Sequence, residues 1–93
     1  MYTIRVSKKF LRQAGKFFRM HPDLNERFAM LVEELRTDPF APHLELHGLT
    51  GKLKGCYAVI LTHKYRVTLT LLVTEKEIVL LDIGSHDEVY RDR

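Results

Sequence analysis

Three β-strands in close succession dominate the second half of this sequence. The segments CYAVILT, YRVTLTLLV and EIVLLDIG, residues 56–62, 65–73 and 77–84, are rich in β-branched and aromatic residues. The dipeptide HK and the tripeptide TEK separate them, and connections this short are typical of hairpins. Because hairpins join antiparallel neighbours, this half of the chain is predicted to form a three-stranded antiparallel meander.

The first half is predicted to hold one strand and two helices. YTIRV alternates like a short strand, and Ser7 follows it at the position of a helix N-cap. Two stretches of helical periodicity come next, with Pro22 suited to the first turn of the second helix and Asp38-Pro39 ending it. Their apolar stripes consist of Phe10, Leu11, Ala14, Phe17 and Phe18, and of Leu24, Phe28, Leu31, Val32 and Leu35.

These elements predict a single α+β domain over residues 1–93. The N-terminal strand and the helix hairpin are expected to pack on a mostly antiparallel four-stranded sheet. Side chains alternate along a strand, so one face of the middle strand should meet the helices and the other should meet solvent or substrate. The apolar set is Tyr65, Val67, Leu69, Leu71 and Val73, and the polar set is Arg66, Thr68 and Thr70.

Positive charge is concentrated near the start of the chain. The net charge is only +3, yet six basic residues precede Met20 with no acid among them: Arg5, Lys8, Lys9, Arg12, Lys16 and Arg19. Such a block suits an anionic partner, either nucleic acid or an acidic protein, although a solvated helix face has the same composition.

Composition argues against several classes of protein. No segment reaches the roughly 18 apolar residues of a membrane helix, and the N-terminus lacks the apolar core of a signal peptide, so a cytoplasmic location is expected. The single cysteine, Cys56, cannot form an internal disulfide and is expected to be a small buried residue. There is no Cys pair and no His-x-x-x-His, and HDE at 86–88 is only a weak hint, so no metal or other cofactor is expected.

Three residues of the second half have side chains suited to phosphate binding, proton transfer and stacking on a base. Arg66 lies on the predicted polar face, where its guanidinium can bind a phosphate or, alternatively, form a surface ion pair with Asp82 or a glutamate. His86 follows the last strand after Gly84, and an ordinary histidine pKa of about 6.5 suits proton transfer near neutral pH. Tyr90 lies four residues further on, so a helical turn there would put both rings on one side, where Tyr90 can stack on an unpaired base.

The irregular segment 38–55 adds further candidates. His47 lies close to the start of the meander, and Lys52 and Lys54 have the same parity, so both could face a phosphate backbone if the segment is extended. His63 lies in the first hairpin. His21 and His43 have less context, and His21 is expected only to open the second helix.

Taken together, these motifs resemble the RelE/ParE superfamily of bacterial toxins over essentially the whole chain. The specific pieces are LHGLTGKLKG, with Leu-x-Gly-x-Leu-x-Gly from Leu49 to Gly55, the Tyr65-Arg66 pair, and GSHDEVY, with Gly-x-His-x-x-x-Tyr from Gly84 to Tyr90. They look like the messenger-RNA-cleaving branch, nearest the YafQ-like toxins. The resemblance implies a toxin that cuts messenger RNA in the decoding site of the ribosome and that a cognate antitoxin silences.

The resemblance also assigns roles to individual residues. His86 matches the histidine of the terminal motif, Tyr90 its closing aromatic residue, Arg66 the central-strand arginine, and His47 the histidine ahead of the glycine-leucine loop. The sequence departs from the YafQ-like pattern at Asp82 or a close neighbour, where an arginine is usual, and at Lys64, where the catalytic aspartate is usual. The positive charge of Lys52, Lys54 and Lys64 is expected to compensate.

The expected reaction is metal-independent cleavage, because RNA carries its own nucleophile in the 2′-hydroxyl. Either His47 or His86 is the base and the other the acid, with Arg66 on the developing negative charge and Tyr90 against a base. Two alternatives remain open from the sequence: a ParE-like protein that blocks a target such as DNA gyrase without cutting, and an inert member that binds only its antitoxin.

Overall fold

The computed structural model describes residues 1–90. Strand β1 (Thr3–Val6) leads into helix α1 (Lys8–Met20), and the residue between them caps the helix. The Ser7 hydroxyl accepts a hydrogen bond from the Phe10 amide at 3.0 Å, which satisfies one of the free N–H groups of the first turn. The predicted N-cap is therefore confirmed.

The second helix begins later than its first proline. Pro22–Leu24 form a single 3-10 turn, and helix α2 spans Asn25–Thr37. It ends because Asp38 turns to an extended backbone ahead of Pro39, whose ring disfavours a helical residue before it. The predicted helix hairpin and its stop are confirmed. No helix within residues 1–90 is long and apolar enough to cross a membrane.

Both helices bury their apolar stripes against the sheet, with one exception. Leu31 and Leu35 of α2 are completely buried, whereas Leu11 of α1 is 61% exposed, so its assignment to the buried stripe is wrong. Leu11 is one residue, or about 100° around the helix, beyond Phe10, which places it on the flank of a narrow stripe. The core cluster comprises Phe10, Phe17, Leu31, Leu35, Leu44, Val59, Leu61, Val67, Leu69, Ile78, Leu80 and Ile83.

The sheet has five strands in the order β1-β5-β4-β3-β2. Strands β3 (Tyr57–Ile60), β4 (Tyr65–Leu72) and β5 (Glu77–Ser85) form the predicted antiparallel meander, and β1 pairs with β5 in parallel. The α+β class with a mostly antiparallel sheet is confirmed. The sequence indicated four strands, and the fifth is β2 (His47–Gly48), which pairs with β3 and is too short to show any periodicity.

An irregularity between β4 and β5 changes the polar face of β4. Thr68 pairs with Asp82 and Leu69 with Leu80, so Leu81 is an extra residue that interrupts the ladder as a β-bulge. Thr68 and Asp82 are only 3% and 4% exposed. The polar face predicted for β4 is therefore buried at Thr68. The other two residues of the polar set, Arg66 and Thr70, are half-exposed.

The last helix follows β5 without a loop. Gly84 is a regular strand residue paired with Arg66, and helix α3 (His86–Tyr90) begins one residue after Ser85. Gly84 therefore does not turn the strand. A Cβ on Gly84 would lie 2.9 Å from Glu88 Oε1 and 3.3 Å from Glu88 Cβ, so the glycine allows α3 to fold back closely against β5.

Candidate functional site

Helix α3 places two rings side by side. His86 and Tyr90 are four residues apart on one helical turn, and their ring centroids lie 4.2 Å apart at an interplanar angle of 83°. The turn is held by reciprocal bonds, because Ser85 Oγ accepts from the Glu88 amide at 3.3 Å and Glu88 Oε1 accepts from the Ser85 amide at 2.8 Å. This capping box explains why so short a helix is formed. The predicted common side of His86 and Tyr90 is confirmed.

His47 approaches the same tyrosine from the other end of the sheet. Pairing of His47 with Ala58 holds β2 on the edge of β3. From there His47 Nε2 lies 3.0 Å from Tyr90 Oη, with the ring centroids 6.3 Å apart. The fold thus brings Tyr90 into contact with two imidazoles that are far apart in the sequence.

Arg66 is anchored to the backbone of its own hairpin. Its Nη1 donates to the carbonyl oxygens of Thr62 and His63, both at 2.8 Å, and to that of Tyr65 at 3.3 Å. The alternative of an Arg66–Asp82 ion pair is wrong, since Asp82 is buried with its Oδ2 3.4 Å from Lys9 Nζ. Arg66 as a whole is half-buried, and its backbone pairs with Gly84 near the end of β5.

The protonation of Tyr90 is set by its surroundings. Partial burial raises the pKa of the Tyr90 hydroxyl above its ordinary value of 10.0, and the positive charge of Arg66 opposes part of that shift. At neutral pH the hydroxyl therefore carries its proton. In the contact with His47 the hydroxyl can therefore donate to Nε2 when that nitrogen carries no hydrogen.

The raised pKa of Tyr90 predicts a loss of stability in alkali. The unfolded chain ionises Tyr90 near pH 10, before the folded protein does, so the stabilisation from this residue is complete below pH 10 and is lost as the pH rises through the folded-state pKa. Tyr90→Phe should flatten the fall in unfolding free energy above pH 10. Urea unfolding from pH 8 to 11 measures this, with Tyr2→Phe as control. Equal slopes in wild type and Tyr90→Phe would contradict the prediction.

His47, His86 and Tyr90 together form a ring cluster. Lys52 and Lys54 precede β3 but do not lie on an extended strand. Residues Gly51–Leu53 form a 3-10 turn with Lys54 after it, so the expected common parity of the two lysines is wrong. A positive φ at Gly51 and at Gly55 bends the segment back on itself. Both lysines are exposed on either side of Leu53, which lines a small cleft of about 260 Å³ bordered by Tyr90.

Lys64 lies apart from that cleft. Its ammonium is 5.6 Å from the centroid of the Tyr65 ring, and both residues line a larger groove of about 660 Å³ between α1 and the β5–α3 junction. Lys16 of α1 and His21, the residue after α1, line the same groove. The His21 ring is packed 4.8 Å from that of Tyr65, so His21 does more than open the second helix.

The remaining candidates lie outside the ring cluster. His43 Nε2 is 2.7 Å from Glu34 Oε2, His63 contributes a carbonyl to Arg66, and Cys56 is half-buried rather than buried. His86 Nδ1 is 3.5 Å from Asp87 Oδ1, which is an ion pair when the ring is protonated. Across residues 1–90, no three His, Cys, Asp or Glu side chains are grouped so that they could hold a metal ion.

Two backbone features of the site have no sequence motif. The Glu45 carbonyl lies 2.9 Å from His47 Nδ1, and the Thr62 carbonyl is one of the acceptors that hold Arg66. For the second feature, the sequence offers only the residue type of Thr62. Its hydroxyl accepts from the amides of Lys64 and Tyr65 in a typical serine/threonine turn.

The fold of this chain is similar to that of toxins of known structure. No family model and no curated protein sequence matches the chain. Among solved structures, a metal-bound toxin from Helicobacter pylori is 30% identical, with a TM-score of 0.79 over 97% of this chain and 100% of that one. E. coli YafQ is 17% identical, with a TM-score of 0.80 over 98% and 100%. YafQ in the E. coli DinJ-YafQ complex is 19% identical, with a TM-score of 0.78 over 98% and 100%.

Proposed function

Since this chain belongs to the RelE/ParE superfamily of toxins, we propose that it is a messenger-RNA endoribonuclease of the YafQ-like kind. The observation that carries the proposal is the contact of Tyr90 with both His47 and His86, at 3.0 Å to an imidazole nitrogen and 4.2 Å between ring centroids. Two imidazoles in one open site can supply the base and the acid that cleavage through the 2′-hydroxyl requires.

The proposed reaction uses the nucleophile that RNA itself carries. One imidazole removes the proton of the 2′-hydroxyl, the new O2′–P bond forms as the P–O5′ bond breaks, and the other imidazole protonates the departing 5′-oxygen. The products are a 2′,3′-cyclic phosphate and a free 5′-hydroxyl, and the chemistry needs no metal. Tyr90 offers its ring to an unpaired base next to the scissile bond.

Arg66 supports the transition state in this proposal. Its guanidinium is fixed through Nη1 to three carbonyl oxygens of the hairpin, so little motion is needed to present its remaining N–H groups to the phosphate. Donors that are oriented before the reaction stabilise the negative charge that develops on the phosphorane.

The exposed lysines extend the proposed RNA-binding surface in two directions. Lys52 and Lys54 are the sequence neighbours of Leu53, which lines the cleft that Tyr90 borders, and Lys64 lies in the groove on the α1 side of α3. Phosphates on either side of the scissile bond can contact these ammonium groups. On this view Lys64 binds substrate at the position where the family's aspartate would act.

A ribosome and an antitoxin are the proposed partners, both in the cytoplasm. The chain is proposed to enter the decoding site, where its basic residues meet RNA, and to be neutralised by a cognate antitoxin, as the DinJ-YafQ complex of the E. coli relative illustrates. Helix α1 offers such a partner basic residues with no acid among them, together with the exposed Leu11 and Met20.

Induction of the wild-type protein in cells tests the proposal. We expect growth arrest, new messenger-RNA 5′ ends within coding frames, free 5′-hydroxyls at those ends, and relief of arrest when the antitoxin is co-expressed. Purified protein on naked and on ribosome-bound messenger RNA then measures the ribosome dependence. Arrest without new ends would instead support a ParE-like protein that blocks a target such as gyrase, and no arrest would support an inert member.

A further inference from the structure

The two ring nitrogens of His47 have different partners, and this defines its tautomer. Nδ1 lies 2.9 Å from the Glu45 carbonyl oxygen, which can only accept a hydrogen bond. Nδ1 must therefore carry hydrogen. In the neutral ring Nε2 then has a free lone pair, and it accepts from Tyr90 Oη at 3.0 Å. An unconstrained histidine in water favours the opposite tautomer, so the protein selects this one.

The carbonyl that makes this selection is held by an unusual backbone. Glu45 has φ 50° and ψ 45°, the left-handed conformation, at the end of the 3-10 turn Pro42–Leu44. Within residues 1–90, Lys76 is the one other non-glycine residue with positive φ, and it lies in the β4–β5 turn. A side chain is disfavoured in this region, and such residues cluster at functional sites. Glu45 is exposed, so burial of its side chain does not account for the left-handed backbone conformation.

We propose that Glu45 is a positioning residue, whose backbone carbonyl holds His47 as the Nδ1–H tautomer and so makes Nε2 the base of the reaction. The inference rests on the proposed function. When RNA binds, its 2′-hydroxyl replaces Tyr90 Oη as the donor to Nε2, and its proton moves to that nitrogen as the O2′–P bond forms. His86 is then the acid that protonates the 5′-oxygen as the P–O5′ bond breaks.

Nitrogen NMR of the histidine rings tests the assignment without any substrate. In long-range proton–nitrogen spectra of ¹⁵N-labelled protein at a pH of about 8.5, where an ordinary histidine is neutral, the two nitrogens of His47 should separate into a protonated Nδ1 and an unprotonated Nε2. Tyr90→Phe should keep this pattern, because Glu45 rather than Tyr90 selects it. A predominantly Nε2–H ring in the wild type would overturn the proposal.

Two substitutions at Glu45 separate backbone conformation from side-chain chemistry. Glycine accepts the left-handed region, so Glu45→Gly should retain the Nδ1–H pattern, whereas the β-branched Glu45→Val should lose it. Lys76→Val is the matched control, because it also places a β-branched residue at a position of positive φ, in the β4–β5 turn. The His47 spectrum of this variant should be unchanged. Retention of the pattern in Glu45→Val would overturn the role of this backbone.

Cleavage assays on the same variants connect the tautomer to the reaction. Glu45→Val should lower single-turnover cleavage about 10- to 100-fold, as expected for a misplaced base, and Glu45→Gly should cleave like the wild type. Unchanged cleavage in Glu45→Val, with its tautomer lost, would overturn His47 as the base. If the wild type shows the expected spectrum but does not cleave RNA, the proposed function is refuted. The NMR spectrum shows in that case that the tautomer assignment itself has not failed.

Discussion

Replacing His86 by alanine is expected to lower the rate of RNA cleavage by about 10²- to 10⁴-fold, the contribution that a positioned general acid or base makes. The His86 side chain is 64% exposed, so its removal opens no cavity in the core. The free energy of unfolding should change little. Single-turnover cleavage of ribosome-bound messenger RNA by the purified variant gives the rate, and 5′-end mapping after induction in cells gives the biological effect.

A second histidine provides the control for this experiment. His43 is similarly exposed, at 57% for its side chain, but it pairs with Glu34 of α2 and has no part in the ring cluster. His43→Ala should therefore cleave at the wild-type rate. If His86→Ala is folded, equally abundant and as active as His43→Ala, then His86 does not take part in the chemistry. Loss of activity in both variants would indicate a structural effect of removing histidines.

Leu80→Ala is expected to destabilise the protein by about 3 kcal/mol, within the range for a leucine removed from a closed core. Leu80 is completely buried in β5, opposite Leu69 and between the strands β1 and β4. For a domain of this size the change corresponds to a melting temperature lower by roughly 12–24 °C. Urea unfolding at 25 °C measures the free energy directly.

Leu11→Ala is the matched control, because the same atoms are removed from a side chain that is 61% exposed. Its effect should stay within about 0.5 kcal/mol. The difference between their changes in unfolding free energy then measures the effect of burying the leucine side chain. The exchange of leucine for alanine is common to both variants. Equal destabilisation by the two changes would contradict the packing described for α1 and β5.

The elements that depend on neighbours in sequence were predictable. Ser7 caps α1, Asp38-Pro39 ends α2, and the four-residue spacing of His86 and Tyr90 puts both rings on one side of a helical turn. In each case the controlling interaction spans only a few residues, so a single sequence contains all of its chemistry.

The features that depend on distant partners were not predictable. β2 has only two residues and forms because β3 lies beside it. On the expected polar face of β4, Thr68 is buried opposite Asp82, next to the bulge at Leu81. The expected parity of Lys52 and Lys54 failed because the glycines on either side permit a tight turn. The Glu45 carbonyl has no sequence signal at all, since a backbone atom carries the contact.

The parallel pairing of β1 with β5 also sets the order in which the fold can be completed during synthesis of the chain. Seventy residues, 7–76, lie between the paired strands, and at about 5–20 residues per second the ribosome needs roughly 4–14 s to make them. Until then β1 has no partner, β4 has an open edge, and α1 lacks the strand β5 against which it packs. Because α3 follows β5, the contacts of Tyr90 with His47 and His86 can form only after β5 has been made.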